Sequence, residues 1–125
     1  MFKSHLCETC YAKHVELNKK VANTDAGKAY IRNITLLANF GLSKTDYDSM
    51  VTLQLGLCAI CLRPETRLAR GGDIQRLSVD HDHRIGKIRG LLCDACNLGI
   101  GHFREDHELI ATAITYLKEA SSGPV

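Results

Sequence analysis

The sequence has little of several features that would assign it to a class at once. It contains no tryptophan, three phenylalanines and four tyrosines, so its core must be built from leucine, isoleucine, valine and alanine. No apolar run approaches the roughly 18 to 20 residues of a membrane span, and Met1 to His5 lack the apolar segment of a signal peptide. The net charge is only +2, so global charge indicates no nucleic-acid partner. With 45% hydrophobic residues, the 125-residue chain is expected to fold as one domain in the cytoplasm, without a membrane partner.

Periodicity and turn residues predict a mostly helical chain with one small sheet. Gly41 is expected to end one helix, and Ser43 to Asp46 to begin the next. Arg84 to Gly86 is predicted to form the turn of an antiparallel hairpin, and Arg63 to Gly72 an exposed polar loop. Helices are predicted over 10–23, 31–40, 43–55, 97–101 and 109–117, and strands over 76–80 and 87–92.

The six cysteines fall into three pairs, each with two residues between its members. In a chain without a secretory signal, this spacing favours metal binding or redox chemistry over a disulfide framework. Two matched pairs, Cys58/Cys61 and Cys93/Cys96, are harder to obtain by chance than one. A four-sulfur zinc site is therefore favoured over a redox pair or reduced core cysteines. Zinc contributes about 10 to 16 kcal/mol in zinc-finger peptides, so loss of one ligand is expected to unfold the C-terminal half.

The first pair, Cys7 and Cys10, has no matching pair. His5 and His14 are near enough in sequence to complete a site, but four ligands within ten residues would be cramped. A pair of free thiols is an equal alternative, so a second metal site stays open.

Carboxylates and imidazoles are concentrated where the first predicted strand ends. Asp80, His81, Asp82 and His83 are consecutive, and strand alternation would place the two carboxylates on one side and the two imidazoles on the other. Carboxylate oxygens hold a hard divalent cation, while neutral histidine takes a proton from water near pH 7. Asn97 directly follows the last cysteine, so a zinc site would fix it against the hairpin. Each residue alone fits a solvated turn or a helix cap, but together they predict a functional site.

Two stretches carry a resemblance to a known family. They are Val79 to His83, read VDHDH, and Gly86 to Asn97, read GKIRGLLCDACN. Together with the lead-in from Gly41 to Cys61 and the closing stretch from Gly99 to Leu117, they resemble the phage recombination endonuclease VII family, within the HNH or His-Me finger nucleases. The resemblance covers residues 41–117 and does not extend to the first 40 residues.

The resemblance implies a fold and a role for each motif residue. The fold would be α+β, mostly helical, with a ββα core of the His-Me finger, treble-clef-like kind held together by zinc. Outside the resemblance, an N-terminal helical segment over 1–42 is expected from its helical pattern to serve dimerisation or DNA contact, followed by a nuclease domain over 43–120 and a disordered tail over 121–125. The resemblance implies Cys58, Cys61, Cys93 and Cys96 as structural zinc ligands, His81 as general base, Asp80 and Asn97 as ligands of a catalytic Mg²⁺ or Mn²⁺, and His83 as a residue near the scissile phosphate.

The implied activity is metal-dependent hydrolysis of DNA to 5′-phosphate and 3′-hydroxyl ends. Between residues 63 and 91, seven Lys and Arg residues oppose four Asp and Glu residues, a formal balance of +3 that suits backbone phosphates of duplex or branched DNA. The expected DNA contacts are His83, Arg84, Lys87 and Arg89, whereas His102 and His107 are expected to be surface residues. Junction resolution, nicking and restriction stay open, as does a homodimer through the N-terminal helices, in a bacterial or phage-infected cell. The alternative is a non-catalytic zinc module that binds nucleic acid or protein.

Overall fold

The computed structural model describes residues 16–123, and it divides into two compact units, one up to Asp48 and one from Ser49 onward. Cys7, Cys10, His5 and His14 lie outside the described residues. The described part contains five helices and a two-stranded sheet, an α+β composition as predicted. The elements in chain order are α1 (16–22), α2 (Asp25–Phe40), α3 (Lys44–Leu53), β1 (Ser78–His81), β2 (Ile88–Leu92), α4 (Asp94–His102) and α5 (His107–Ser122). None of these helices is long and apolar enough to cross a membrane.

A tight corner joins α1 to α2. Thr24 caps α2, because its hydroxyl accepts a hydrogen bond from the N–H of Gly27 at 3.0 Å. A Cβ at Gly27 would lie 1.8 Å from the carbonyl oxygen of Val21, so only glycine fits this corner. The cap makes α2 begin at Asp25, earlier than the apolar spacing predicted.

The boundary between α2 and α3 follows the predicted cap residues. Gly41 has a φ of 65°, and its N–H donates to the carbonyl of Leu37 at 2.9 Å, which ends α2. Ser43 and Asp46 then bond reciprocally: the Ser43 N–H donates to the Asp46 carboxylate at 3.0 Å, and the Asp46 N–H donates to Ser43 Oγ at 3.1 Å. The predicted end of α2 and the predicted cap of α3 are both confirmed.

The hairpin of β1 and β2 contains a β-bulge. Asp80 is opposite Gly90, but His81 is opposite Ile88, so Arg89 is an extra residue on β2. In the turn, Asp82 Oδ1 accepts the N–H of Arg84 at 2.8 Å, and Gly86 has a φ of 71°. The predicted antiparallel hairpin and its turn are confirmed.

The side chain of Gln54 fixes the segment after α3 to the outer edge of β2. Its amide nitrogen donates to the Leu91 carbonyl at 2.9 Å, and the Leu91 N–H donates to its amide oxygen at 2.9 Å. The N–H of Ala59 also donates to the Leu91 carbonyl at 3.0 Å. Leu91 is completely buried beneath these contacts. The helix α3 was predicted to continue to Leu55, but it ends at Leu53, and Gln54 instead bonds to the hairpin.

Glu65 corrects the prediction that Arg63 to Gly72 forms a wholly exposed loop. Its side chain is buried and accepts backbone N–H groups from Thr66 at 2.8 Å, Arg67 at 2.9 Å and Asp94 at 2.6 Å. Because Cys93 at the N-cap of α4 makes no side-chain cap bond, Glu65 supplies the acceptor there. Arg67 also forms an ion pair with Asp94. These contacts explain why α4 begins at Asp94, before the predicted start.

The end of α5 is also later than predicted. The hydroxyls of Ser121 and Ser122 donate to the carbonyls of Leu117 and Lys118, each at 2.9 Å. The helix therefore continues to Ser122, into the segment predicted as a disordered tail.

Replacing Glu65 should weaken α4 in a pH-dependent way. Burial opposes the charge of Glu65, but the N–H groups of Arg67, Asp94 and Thr66 hold its pKa below the ordinary value of 4.5. Its stabilising contribution is therefore present above that value and is lost as pH falls through the lowered pKa. Glu65→Gln should lower the free energy of unfolding by about 1 to 3 kcal/mol at neutral pH. The difference from wild type should shrink in acid, as measured by denaturant unfolding.

The matched control is Glu119→Gln on the exposed surface of α5, where the change should stay within about 0.5 kcal/mol. Equal stability of the two variants at neutral pH would contradict the capping role of Glu65.

Candidate metal centre and active site

The four predicted cysteine ligands converge. The sulfur atoms of Cys58, Cys61, Cys93 and Cys96 all lie within 4.8 Å of one another, and those of Cys61 and Cys93 are 3.8 Å apart. Tetrahedral zinc with Zn–S bonds of about 2.3 Å separates its sulfur ligands by about 3.8 Å. The cluster is thus close to the arrangement that a four-sulfur zinc site requires. Among the residues that the structure describes, no other group of three or more Cys, His, Asp and Glu ligands converges in this way.

Two backbone turns aim the sulfurs inward. In the first, the N–H of Ile60 donates to Cys58 Sγ at 3.4 Å, and the N–H of Leu62 donates to the Cys58 carbonyl at 3.0 Å. In the second, Cys93 lies between β2 and α4 as the N-cap of α4, whose first turn carries Cys96. A long-range constraint therefore joins the segment after α3 to the corner between the hairpin and α4.

The thiol chemistry of the cluster fits a thiophilic metal. Burial opposes ionisation of Cys58, but the backbone N–H groups of Cys61, Cys93 and Ile60 outweigh it and lower the pKa of Cys58 to about 6. Burial, followed by hydrogen bonds with the neighbouring thiols, raises the pKa of Cys96 to about 12. Four thiolates so close together need a cation, and soft sulfur ligands select zinc over magnesium or calcium. The four cysteines therefore fit a structural zinc ion.

Asp80 forms a bidentate salt bridge across the hairpin. Its side chain is 9% exposed, and it accepts Arg89 Nε at 2.7 Å and Arg89 Nη2 at 2.9 Å. The bulge inserts Arg89 between Gly90, which is opposite Asp80, and Ile88, which is opposite His81. From this extra position its side chain reaches the Asp80 carboxylate. Its hydrogen bonds to Asp80, and then to Glu105, raise the pKa of Arg89 above its ordinary value. The Asp80 carboxylate thus already binds a cationic group in this structure.

Glu105 extends the network to the histidines. One of its oxygens lies 3.1 Å from Arg89 Nη1, and the other lies 2.7 Å from His83 Nδ1. Hydrogen bonds from Arg89, and then from His83, lower the pKa of Glu105. Sequence reasoning missed Glu105 because it lies in the connection between α4 and α5, 22 residues from His83. No local pattern in the sequence marked it.

The two histidines of the motif are neighbours. The ring centroids of His81 and His83 are 4.5 Å apart, with His81 at the end of β1 and His83 in the turn that follows. Helix α4, which carries the half-buried Asn97, packs against β1. The structure therefore gathers His81, His83, Asp80 and Arg89 into one connected region, with α4 beside it.

The other predicted DNA-contact residues lie on the hairpin turn and beside it. Arg84 and Lys87 are exposed, and neither forms a salt bridge with a residue between 16 and 123. Arg89 and His83, by contrast, are already paired with carboxylates. The predicted basic margin is thus partly neutralised within the chain.

Loss of one cysteine should remove the metal and the structure that depends on it. Cys96→Ser is expected to release one equivalent of zinc, measured by elemental analysis, because serine does not replace a thiolate ligand of zinc. Amide protection at Leu91 and Leu92 should then be lost in hydrogen exchange, since the corner that buries them is no longer held.

Ala95→Ser adds the same side chain one position away, at an exposed site, and should keep both the zinc and the protection. Full zinc content and unchanged protection in Cys96→Ser would refute the four-sulfur site.

Comparison with known proteins identifies the chain's relatives. The family described as recombination endonuclease VII matches residues 32–119. The Gene 59 protein of Mycobacterium phage D29 is 41% identical over 85 residues, which are 67% of this chain and 48% of that protein. The Gene 59 protein of Mycobacterium phage L5 is 41% identical over 83 residues, 66% of this chain and 47% of that protein. This chain therefore spans about half the length of these phage relatives, and no solved structure matches it.

The family match contains both cysteine pairs of the metal centre, the Asp80 to His83 motif and Asn97. The family match also covers most of the chain. The family that the motifs predicted is therefore confirmed: the chain belongs to the recombination endonuclease VII family.

Proposed function

We propose that this chain is a metal-dependent DNA endonuclease of the HNH type, with a ββα active site formed by β1, β2 and α4. Membership of an endonuclease family supports a nuclease, but the residue roles rest on the site itself. The observation that carries the proposal is the connected set of Asp80, Arg89, Glu105, His83 and His81 beside the cysteine cluster. This arrangement puts a cation-binding carboxylate and a proton-accepting imidazole on consecutive residues.

The donor chemistry fits a second, catalytic cation. Asp80 is buried and uses both oxygens on a guanidinium, so its environment favours binding of positive charge. Asp80 and the Asn97 amide would hold Mg²⁺ or Mn²⁺, because hard divalent cations prefer oxygen ligands. When bound, this ion would supply neutralisation of the charge that develops on the phosphate and the leaving oxygen. Arg89 must then release at least one oxygen of Asp80. Its ion pair with Glu105 would keep the guanidinium in place.

His81 is the general base in this proposal. A neutral imidazole takes a proton from the attacking water near pH 7, so hydroxide forms beside the phosphate. His83 is hydrogen-bonded to Glu105, and its ring contacts that of His81. In this proposal it is a supporting residue near the scissile phosphate. Cleavage of the bond to the 3′ oxygen leaves 5′-phosphate and 3′-hydroxyl ends.

Substitution of His81 tests the proposal directly. With Mg²⁺ or Mn²⁺, the zinc-loaded wild type should nick supercoiled plasmid, and His81→Ala should reduce the rate by about 10²- to 10⁴-fold, as expected for loss of a general base. The matched control is His102→Ala, which makes the same change at an exposed position of α4. Rates on four-way junctions and on linear duplexes, measured in parallel, separate junction resolution from general nicking.

Equal rates for wild type and His81→Ala, at equal zinc content, would remove His81 from its role. Failure of the wild type to cut any of these substrates would favour the non-catalytic zinc module instead. The salt bridge between Arg89 and Asp80 would then serve only to stabilise the hairpin.

We also propose that α2 forms a homodimer contact with a second copy of the chain. Tyr30 is 67% exposed, Ile34 46% and Leu37 60%, although all three are large and apolar. Their spacing places them on one side of the helix, where a second copy would cover them. A dimer would bring two active sites to two DNA strands.

Disruption of this apolar face should separate the copies. Ile34→Glu is expected to halve the mass measured by light scattering during size-exclusion chromatography, because a buried charge is costly at an apolar contact. Thr35→Glu, at the adjacent exposed position, is the control and should leave the mass unchanged. A wild type that is monomeric at high concentration would refute the dimer and leave the nuclease proposal intact.

A further inference from the structure

An open cleft of about 640 Å³ lies between the hairpin turn and the connection from α4 to α5. This volume is within the range of about 300 to 1,000 Å³ typical of small-molecule sites, so a nucleotide-sized group fits. Three of its lining residues, His83, Arg89 and Glu105, belong to the connected set of the proposed catalytic site. The turn contributes Asp82, His83 and Arg84 to the lining, the connection contributes Arg104 and Glu105, and α5 contributes its first residue, His107.

The carboxylates in this cleft are already bonded to groups of the same chain. Asp82 Oδ1 accepts the backbone N–H groups of Arg84 at 2.8 Å and Ile85 at 3.2 Å. The two oxygens of Glu105 are shared between His83 and Arg89. The acids therefore stabilise the walls of the cleft, and among the described residues they form no convergent group of metal ligands.

Two arginines in the lining remain available for a ligand. Arg84 and Arg104 are exposed, and neither forms a salt bridge with a residue of the described part of the chain. They come from different segments that face one cleft. The planar guanidinium group donates two parallel hydrogen bonds to a phosphate, so a pair of arginines favours a phosphodiester as the ligand.

The connection that carries Arg104 is held in an unusual conformation. Arg104 and Glu105 have φ values of 53° and 56°, in the left-handed region that side chains rarely adopt. The N–H of Arg104 donates to Gly101 and that of Glu105 to Ile100, each at 2.9 Å. The side chain of Glu105 adds its contacts to the hairpin. Arg104 is thus presented from a fixed backbone, which lowers the entropic cost of binding.

We propose that Arg84 and Arg104 bind a phosphodiester of the DNA strand in this cleft, next to the linkage that is cut. His83 places the cleft beside the proposed site, since it lines the cleft and contacts the ring of His81. This inference rests on the proposed function and deepens it, because it names a backbone-binding subsite that includes Arg104.

The test measures binding separately from cleavage. Labelled four-way junctions and duplexes are titrated with the zinc-loaded full chain, without added magnesium, and fluorescence anisotropy is recorded across a salt series. Arg84→Ala and Arg104→Gly should each weaken binding by roughly three- to ten-fold, and each should reduce the slope of log K against log salt by about 0.9. Arg104→Gly suits the positive φ, so backbone strain does not explain its effect. Arg104→Lys should restore most of the slope.

Lys118→Ala removes one positive charge from α5 outside the lining and should change neither affinity nor slope. Unchanged affinity and slope in both arginine variants, at full zinc content, would overturn the subsite, as would an equal loss in Lys118→Ala. If the wild type also nicks plasmid in that case, only the subsite has failed. If the arginine variants lose binding while the wild type cuts no substrate, the contact of both arginines with the DNA backbone stands, but the nuclease proposal fails and with it the placement of this contact beside a cut linkage.

Discussion

This structure depends on one constraint: the sulfur atoms of two cysteine pairs that are distant in sequence must lie close enough to bind one ion. Cys58 and Cys61 follow α3, whereas Cys93 and Cys96 surround the start of α4, and one tetrahedral ion requires all four to meet. From Ser49 onward, the buried apolar residues in the described part are few: Leu77, Leu91 and Leu92, together with two of these cysteines. So small an apolar core supplies little stability by itself. A zinc ion held by the four cysteines would therefore substitute for part of the hydrophobic core, and Gln54 and Glu65 make the contacts that complete the frame.

The same frame sets the position of the candidate site. Strand β2 leads from the hairpin turn into Cys93, so the zinc cluster fixes the strand opposite Asp80 and His81. The bulge then gives Arg89 the reach to bind Asp80, and the left-handed backbone at Glu105 brings a second carboxylate to Arg89 and His83. The resulting side chains pair with one another within the chain. These side chains hold one another in position, and binding of a cation by Asp80, as proposed, would require Arg89 to give up one of its contacts with Asp80.

The sequence predicted the parts of this molecule that local spacing encodes. Paired cysteines, the Ser43 to Asp46 cap, the glycine after α2 and the hairpin turn each carry their structural reason within a few residues. Contacts between distant segments were not predictable in this way. Glu65 reads as a loop residue until α4 presents an N–H group without an acceptor, and Glu105 reads as a surface acid until the bulge brings Arg89 near it.

Arg89 is the clearest case of a residue whose surroundings could not be predicted from the sequence. It was predicted to contact DNA because it is a cation beside the motif. One extra residue in the strand changes its surroundings, and no propensity marks that residue as the bulge. The role of a charged side chain thus depends on a register that only the three-dimensional pairing defines.

The side chain of Gln54 has a consequence for how this protein meets other chains. A two-stranded hairpin normally leaves unpaired N–H and C=O groups along its outer edges, which can template a strand from another molecule. At the outer edge of β2, Gln54 and Ala59 occupy the backbone groups of Leu91 in the way that a third strand would. This edge is therefore closed to intermolecular sheet extension at Leu91, where the Gln54 side chain and the Ala59 N–H together occupy the backbone groups that a strand from another molecule would need.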